Sequence, residues 1–191
     1  MLCSLNEIET AVRKAVRGAG YDWGLAEEAA KAARWLALHG QPAIALFLGL
    51  CERFDRRLYA ERAPAAIAGV WRAPGGVLCP LIAGVALGDL APPALETGPM
   101  ALPAIYAAIA AAAGYALEGG VDPAQPMAER TVCRRVPAGG RAADAVPLPE
   151  GVEVEDALWA RLDRFASRTY VPASAVSRLT GAGAGTMVDN D

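Results

Sequence analysis

The amino-acid sequence predicts an α+β fold, in which an N-terminal three-helix unit packs on a small, mainly antiparallel sheet with a central apolar helix. Three observations predict it. Apolar residues recur at helical spacing from Ser4 to about Tyr59. Near Ala65 the pattern changes to short apolar segments divided by proline and glycine, which is typical of strands and turns. The run from Thr97 to Leu117 is uncharged, as a buried helix requires.

Three helices are expected in the first sixty residues. Ser4-Leu5-Asn6-Glu7 matches a capping box, so the first helix begins at Ser4. The second is predicted from Asp22–Gly24 to His39 and is closed by Gly40. The third opens at Gln41-Pro42. Its apolar stripe is expected to comprise Phe47, Leu50, Cys51, Phe54 and Leu58.

The rest of the chain mixes strands and helices. Ile67–Arg72 and Val77–Leu81 flank Ala73-Pro74-Gly75-Gly76, which predicts a hairpin. Residues 83–90 fit either a strand or a buried helical turn. A central apolar helix is expected at 102–117 and a last helix at 153–167. Residues 130–136 are expected to form an edge strand, whose arginines discourage pairing with a further strand.

These elements define the predicted organisation of the chain. Residues 1–60 form the N-terminal helical unit, and residues 61–180 form the α+β portion of the same compact domain. Residues 181–191 form a Gly-rich C-terminal tail.

The composition excludes several classes of protein. The chain has 191 residues, 54% of them hydrophobic, and a formal net charge of -3. This hydrophobic content argues against wholesale disorder, and the acidic balance lacks the basic surface of a nucleic-acid binder. Sixteen of the 18 basic residues are arginine, which is typical of a GC-rich bacterial genome.

The sequence also predicts the compartment and the absence of a prosthetic group. The start of the chain turns polar at Asn6-Glu7, unlike a secretory signal, so a cytoplasmic location is expected. The uncharged run is mostly alanine and contains Pro99 and Pro103, which favours a buried helix over a membrane span. Four cysteines without a C-x-x-C pair and a single histidine do not suit zinc. We therefore expect no metal and no cofactor.

The entrance of the second helix is the first candidate site. Tyr21 and Trp23 are expected to wall a pocket whose acid is Glu27 or Glu28. The alternative is a solvated charged face, because acids in a first turn complement the helix dipole and Glu27 reaches Lys31 one turn on.

His39 is the only histidine and hence the first candidate for proton transfer near neutral pH. It also falls in the last turn of the second helix, where a cation stabilises the helix terminus. Both interpretations remain open on the sequence alone.

A third candidate site precedes the tail. Arg168 and Arg178 are positioned to clamp a carboxylate or phosphate, with Tyr170 and Ser174 supplying hydrogen bonds. The alternative is that these groups tie down the tail. The tail itself, Gly181–Asp191, is either a frayed end or an anchored segment. As an anchored segment it closes over the pocket near Tyr21, Trp23 and Glu27, or it docks on a partner subunit.

Five stretches of the sequence form a recognisable set: SLNEIE (4–9), GAGYDWGLAEEA (18–29), RTYVPAS (168–174), GAGAG (181–185) and DND (189–191). Together they resemble a bacterial family of uncharacterised proteins, the domain of unknown function numbered 3726. The resemblance covers both ends of the chain. It implies no activity, because none is assigned to that family.

A weaker likeness suggests an enzyme. An amphipathic helix, an acidic second-helix start and then His39-Gly40 is similar to the N-terminal region of the malate/L-lactate dehydrogenase type 2 family. There a Ser-His-Gly element bears the catalytic histidine. Here Leu38 replaces the serine, and nothing like that family's cofactor-binding remainder follows.

Two classes of function follow. The first is a protein that binds a small anionic metabolite or serves as an accessory subunit in a catabolic operon. The second is an enzyme acting on an organic acid, with His39 or Glu27/Glu28 as general base. The expected partner is a small anion or a protein, with no nucleic acid and no membrane, and a homo-oligomer remains open.

Overall fold

The structure, a computed structural model, describes residues 1–137 and 148–170 and confirms the α+β fold. Within these residues the helices are α1 (Leu5–Gly18), α2 (Trp23–Leu38), α3 (Ala43–Phe54), α4 (Tyr59–Arg62), α5 (Pro80–Leu90), α6 (Pro103–Ala112) and α7 (Asp156–Ala166). The strands are β1 (Leu2–Cys3), β2 (Ala94–Thr97), β3 (Met100–Ala101), β4 (Tyr115–Leu117), β5 (Met127–Ala128), β6 (Thr131–Arg135) and β7 (Val152–Glu153). A short 3-10 helix, Ser167–Thr169, follows α7.

The first two helices begin where the sequence predicts. The Ser4 hydroxyl accepts from the Glu7 backbone N–H at 3.2 Å, and the Ser4 N–H donates to the Glu7 carboxylate at 2.7 Å. Asp22 caps α2 by accepting from the Leu25 N–H at 2.8 Å. His39 is the C-cap residue of α2. The capping box and both ends of α2 are therefore confirmed.

The third helix is shorter than expected. It ends at Phe54, and Arg56 then takes a left-handed backbone conformation with φ +51°. Leu58, predicted on the apolar stripe, lies outside the helix and is 68% exposed. The prediction for Leu58 is wrong because the helix stops one turn earlier than the apolar spacing suggests.

Helices α1, α2, α3 and α7 bury a common apolar core. Helix α1 packs on α2 along one side and on α7 along another. The closest approach is at Gly18, where an added Cβ would lie 1.8 Å from the carbonyl oxygen of Phe165. Only glycine permits this contact between the end of α1 and the backbone of α7.

The principal sheet has three antiparallel strands in the order β2-β6-β4, with Cys133 opposite both Leu95 and Leu117. Two smaller antiparallel pairs join β1 to β7 and β3 to β5. The prediction of an edge strand at 130–136 is wrong, because β6 is the central strand. Arginines are tolerated there since Arg130 pairs with Glu96 on β2 and Arg134 pairs with Glu118 just beyond β4.

The hairpin predicted around Pro74-Gly75 is also wrong. Residues 67–79 contain only two isolated parallel bridges, Trp71 with Thr97 and Leu78 with Met100. The Trp71 N–H donates to the Glu96 carbonyl at 2.9 Å, so this segment satisfies its backbone on β2 instead of on itself. Helix α5 starts directly afterwards with proline at its first position, which proline suits.

Helix α6 is central, as predicted, although it ends at Ala112 and residues 115–117 form β4 instead. Its Ile105, Ala108 and Ile109 enter the core of the helical unit. Its Tyr106 and Ala110 enter a second core, which also contains Trp71 and Cys133 and lies against the sheet. In the two described ranges, no helix has the length and apolarity needed to cross a bilayer.

Candidate functional site

A cleft of about 430 Å³ lies where the α1–α2 loop faces the α3–α4 loop. Three arginines line it, Arg56, Arg57 and Arg62, together with Tyr21 and Tyr59. Arg57 and Arg62 also line an adjoining cleft of about 390 Å³ that contains Glu52 and Glu61. The two clefts therefore meet at a pair of arginine side chains.

Two unusual backbone conformations hold the loops of this cleft together. Gly20 has φ +96° and Arg56 has φ +51°. The Arg56 N–H donates to the Ala19 carbonyl at 2.9 Å, and a Cβ on Gly20 would lie 3.5 Å from the Arg56 Cα. A left-handed conformation at a non-glycine residue costs free energy, so the surrounding contacts must hold it in place. The chain thus bends sharply to present its arginines here.

Arg62 is the central side chain of the site. Only 4% of the residue is exposed, and its guanidinium lies over the ring of Tyr21 at 4.0 Å. Its Nη1 donates to the Phe54 carbonyl at 3.1 Å, while its Nε is buried without a hydrogen-bond partner among the described residues. No carboxylate in that part of the chain pairs with it. Arg62 is therefore a buried cation without a visible counterion.

Behind Arg62, the Tyr21 hydroxyl lies 3.3 Å from the Sγ atom of Cys79, the N-cap residue of α5. Burial raises the pKa of both the Tyr21 hydroxyl and the Cys79 thiol above their ordinary values, although Arg62 opposes the effect. Burial also raises the pKa of Cys51 to about 12. These groups stay protonated at neutral pH, so they suit hydrogen bonding better than nucleophilic attack.

Raising the pH above 9 is expected to destabilise the fold. An unfolded Cys51 thiol ionises at its ordinary pKa of 9.0, while the folded thiol stays protonated up to about 12. Its stabilising contribution is fully present below pH 9 and is lost as the pH rises towards 12. At pH 10 the loss for one such thiol is about 1 kcal/mol.

Urea unfolding at pH 8 and pH 10 measures this effect. Cys51→Ala serves as the comparison, because it removes the titrating group and should reduce the difference between the two pH values. An equal difference in variant and wild type would contradict the role given to Cys51.

The residues predicted at the entrance of α2 separate in the structure. Tyr21 lines the cleft, whereas Trp23 is 59% exposed, with the Arg17 guanidinium 5.3 Å from its ring. Glu27 pairs with Arg13 at 3.2 Å, and Glu28 pairs with Lys31 at 2.7 Å. Both glutamates thus form ion pairs at the surface, as a charged face does, although Lys31 pairs with Glu28 and not with Glu27 as the alternative predicted. A catalytic role for either glutamate stays a prediction.

His39 lies at the surface, away from the cleft. Its ring stacks on Trp35 with 3.8 Å between the centroids, and its Nδ1 lies 2.7 Å from the Trp35 carbonyl oxygen. Its position as a helix cap accounts for both contacts. Proton transfer by His39 remains untested.

Of the predicted C-terminal site, only Arg168 and Tyr170 are described. Arg168 pairs with Asp55 at 2.6 Å and its guanidinium lies 4.4 Å from the Phe165 ring, while Tyr170 is exposed with Lys14 5.2 Å from its ring. Arg168 therefore anchors the loop that carries Arg56. Ser174, Arg178 and the tail 181–191 lie outside the described residues.

Arg56, Arg57 and Arg62 are not among the site residues predicted from the sequence. A signal was present, since four arginines fall within the ten residues 53–62. The predicted apolar stripe extended the third helix to Leu58, and such a helix would place these arginines on its solvent-facing side. Arginines in that position are ordinary surface residues and do not indicate a site. Because α3 ends at Phe54, these side chains lie beyond the helix and meet in a cleft.

The structure thus defines an α+β protein with an arginine-lined cleft and, among its described residues, no cluster of side chains suited to a metal. Residues 3–93 match the model of a family described as a protein of unknown function, DUF3726, which supports the resemblance to that family over these residues. Both loops of the cleft fall inside the matched segment. No curated protein and no solved structure matches the chain significantly, and the dehydrogenase likeness finds no support.

Proposed function

We propose that the protein binds a small anionic metabolite in the cleft at Arg62. The observation that carries the proposal is the buried guanidinium without a carboxylate partner in the described chain. Burying a charge without a counter-charge is costly, so such a group is usually paired or binds a ligand. An anion entering the cleft would supply the missing charge.

The geometry of the guanidinium favours a carboxylate or a phosphate. Tyr21 covers one face and the Phe54 carbonyl takes Nη1, which leaves the Nε side without a protein acceptor. The planar fork of an arginine matches two oxygens of such an anion. Because Nε of Arg62 is closed to solvent, a ligand oxygen can reach it only after the protein atoms that cover it have moved.

Arg56 and Arg57 extend the positive charge to the mouth of the cleft, where both are exposed. Exposed charges of one sign around a concave site attract a ligand of the opposite sign. Two nearby carboxylates are engaged with arginines outside the cleft, since Asp55 pairs with Arg168 and Glu52 with Arg161. Of the other two, Asp22 caps α2 and Glu61 lines only the adjoining cleft. The cleft is therefore suited to an anion arriving from solvent.

Binding is supported better than the catalytic alternative. Catalysis would require His39, Glu27 or Glu28 beside the bound acid, and none of them lines this cleft. A place as an accessory subunit of a catabolic operon is compatible with binding and is part of the same proposal.

The test is calorimetric titration with sodium acetate and inorganic phosphate, using sodium chloride at equal ionic strength as the reference. We expect at least one of the two anions to bind the wild type and to raise its melting temperature beyond the effect of chloride. Arg56→Ala combined with Arg57→Ala should weaken that binding about tenfold, because both side chains are exposed and the fold should survive.

Arg130→Ala provides the control, since Arg130 is also an exposed arginine but pairs with Glu96 on the sheet. It should bind like the wild type. Equal affinity in the double variant and the control, or no effect of either anion beyond chloride, would refute the proposal. Arg62→Lys, which keeps the charge and loses the fork, then tests the central contact directly.

A further inference from the structure

We infer that the anion taken up by this cleft carries an apolar body, and that Leu58 and Tyr59 contact that body. The inference rests on the proposed function and specifies its ligand as a carboxylate attached to a hydrocarbon or aromatic group. The juxtaposition that carries it is a pair of apolar side chains at the mouth of the cleft, next to Arg56 and Arg57, above the buried cation Arg62.

Arg62 lies deeper in the cleft than the apolar side chains of Leu58 and Tyr59. Arg62 is 4% exposed, whereas Tyr59 is 57% and Leu58 is 68% exposed, although all three line the same cleft. A ligand that places its negative group on Arg62 therefore projects the rest of its atoms past Leu58 and Tyr59. Those atoms are covered favourably only if they are apolar.

Folding does not account for the position of these two side chains. Leu58 is the N-cap residue of α4 and makes no side-chain capping bond, and Tyr59 is the first residue of that helix. Neither belongs to the two apolar cores. The four-residue helix that presents them also carries Arg62 at its end, so the apolar mouth and the buried cation are fixed by one element.

A second negative group on the ligand is disfavoured on the α2 side of the cleft. Asp22 lines that wall, and it caps α2 through one oxygen while its charge remains at the cleft surface. Leu25, one turn further, is apolar and lies on the same wall. This wall therefore favours an apolar body over a second anionic group.

The experiment compares acetate, butyrate, hexanoate and benzoate with the uncharged hexanol and benzyl alcohol by calorimetric titration. Affinity should increase about fourfold for each methylene that the cleft covers. Hexanoate should therefore bind at least about tenfold more tightly than acetate, and the alcohols should bind more weakly than the corresponding acids.

Leu58→Ser combined with Tyr59→Ser should lose this dependence on chain length, so that hexanoate gains less than about threefold over acetate. Ile67→Ser is the matched control, because Ile67 is 73% exposed but does not line the cleft. It should keep the full series. Sedimentation of the same variants reports whether the apolar pair instead joins two copies of the chain.

The outcomes separate the inference from the proposed function. If acetate or phosphate binds but hexanoate binds no more tightly than acetate, the inference fails and anion binding stands. If the alcohols match the acids, or if the double variant alters only self-association, the inference also fails. If no anion binds, the proposed function fails and the inference with it.

Discussion

Replacing Gly18 by alanine is expected to lower the free energy of unfolding by at least about 3 kcal/mol. The added Cβ would lie 1.8 Å from the Phe165 carbonyl oxygen, and a backbone atom cannot move aside as a flexible side chain can. The change from glycine to alanine favours a helix by only about 1 kcal/mol, so the steric cost dominates. Helix α7 must separate from α1 to accommodate the methyl group.

Urea unfolding monitored by circular dichroism measures this loss. Gly88→Ala is the matched control, since Gly88 is also helical and its Cβ would lie 3.7 Å from the Ala113 Cβ, an ordinary contact. That variant should be as stable as the wild type or more stable by up to about 1 kcal/mol. A Gly18→Ala protein as stable as Gly88→Ala would contradict the close packing of α1 on α7.

Truncating Trp71 to alanine is expected to cost about 3 to 5 kcal/mol. The side chain is 1% exposed, lies in the second core, and donates from Nε1 to the Ile67 carbonyl at 3.2 Å. Its removal would leave a cavity between the α4–α5 segment and the sheet. The loss would show as a lower denaturant midpoint.

Trp23→Ala gives the comparison with the same change of side chain at an exposed position. Trp23 is 59% exposed, so its removal should change the free energy of unfolding by less than about 1 kcal/mol. Similar losses in the two variants would show that Trp71 is not the anchor of its segment. Fluorescence of the remaining tryptophans monitors unfolding in both proteins.

Local sequence signals predicted the helices well, because their caps are encoded within a few residues. Ser4 with Glu7, and Asp22 with Leu25, establish the starts of α1 and α2 without help from the rest of the chain. Local signals failed where pairing with a residue far along the chain determines the structure. The segment at Trp71 pairs with β2 instead of folding on itself, and β6 acquires a neighbour on each side.

The candidate site was predicted only in part, for the same reason. Tyr21 lines the cleft, but the arginines that line it with Tyr21 lie 35 to 41 positions later in the chain. Arg56 and Arg57 are in the α3–α4 loop, and Arg62 is the last residue of α4. Their meeting depends on the left-handed turn at Arg56, which no short motif announces. The sequence suggested an anionic ligand from Arg168 and Arg178, whereas the arginines that line the cleft are Arg56, Arg57 and Arg62.

The sequence similarity to the family ends before helix α6, whereas the apolar core of the helical unit includes residues of α6 and α7. The family match ends at residue 93, whereas Ile105 and Ala108 of α6 and Phe165 of α7 complete the core built by the first three helices. A fragment cut at residue 93 would retain every described residue that lines the cleft and yet leave that core uncovered. The loops that carry the arginines thus depend on a core that is completed by residues from the second half of the chain. A truncated fragment is therefore unsuited to isolating the site.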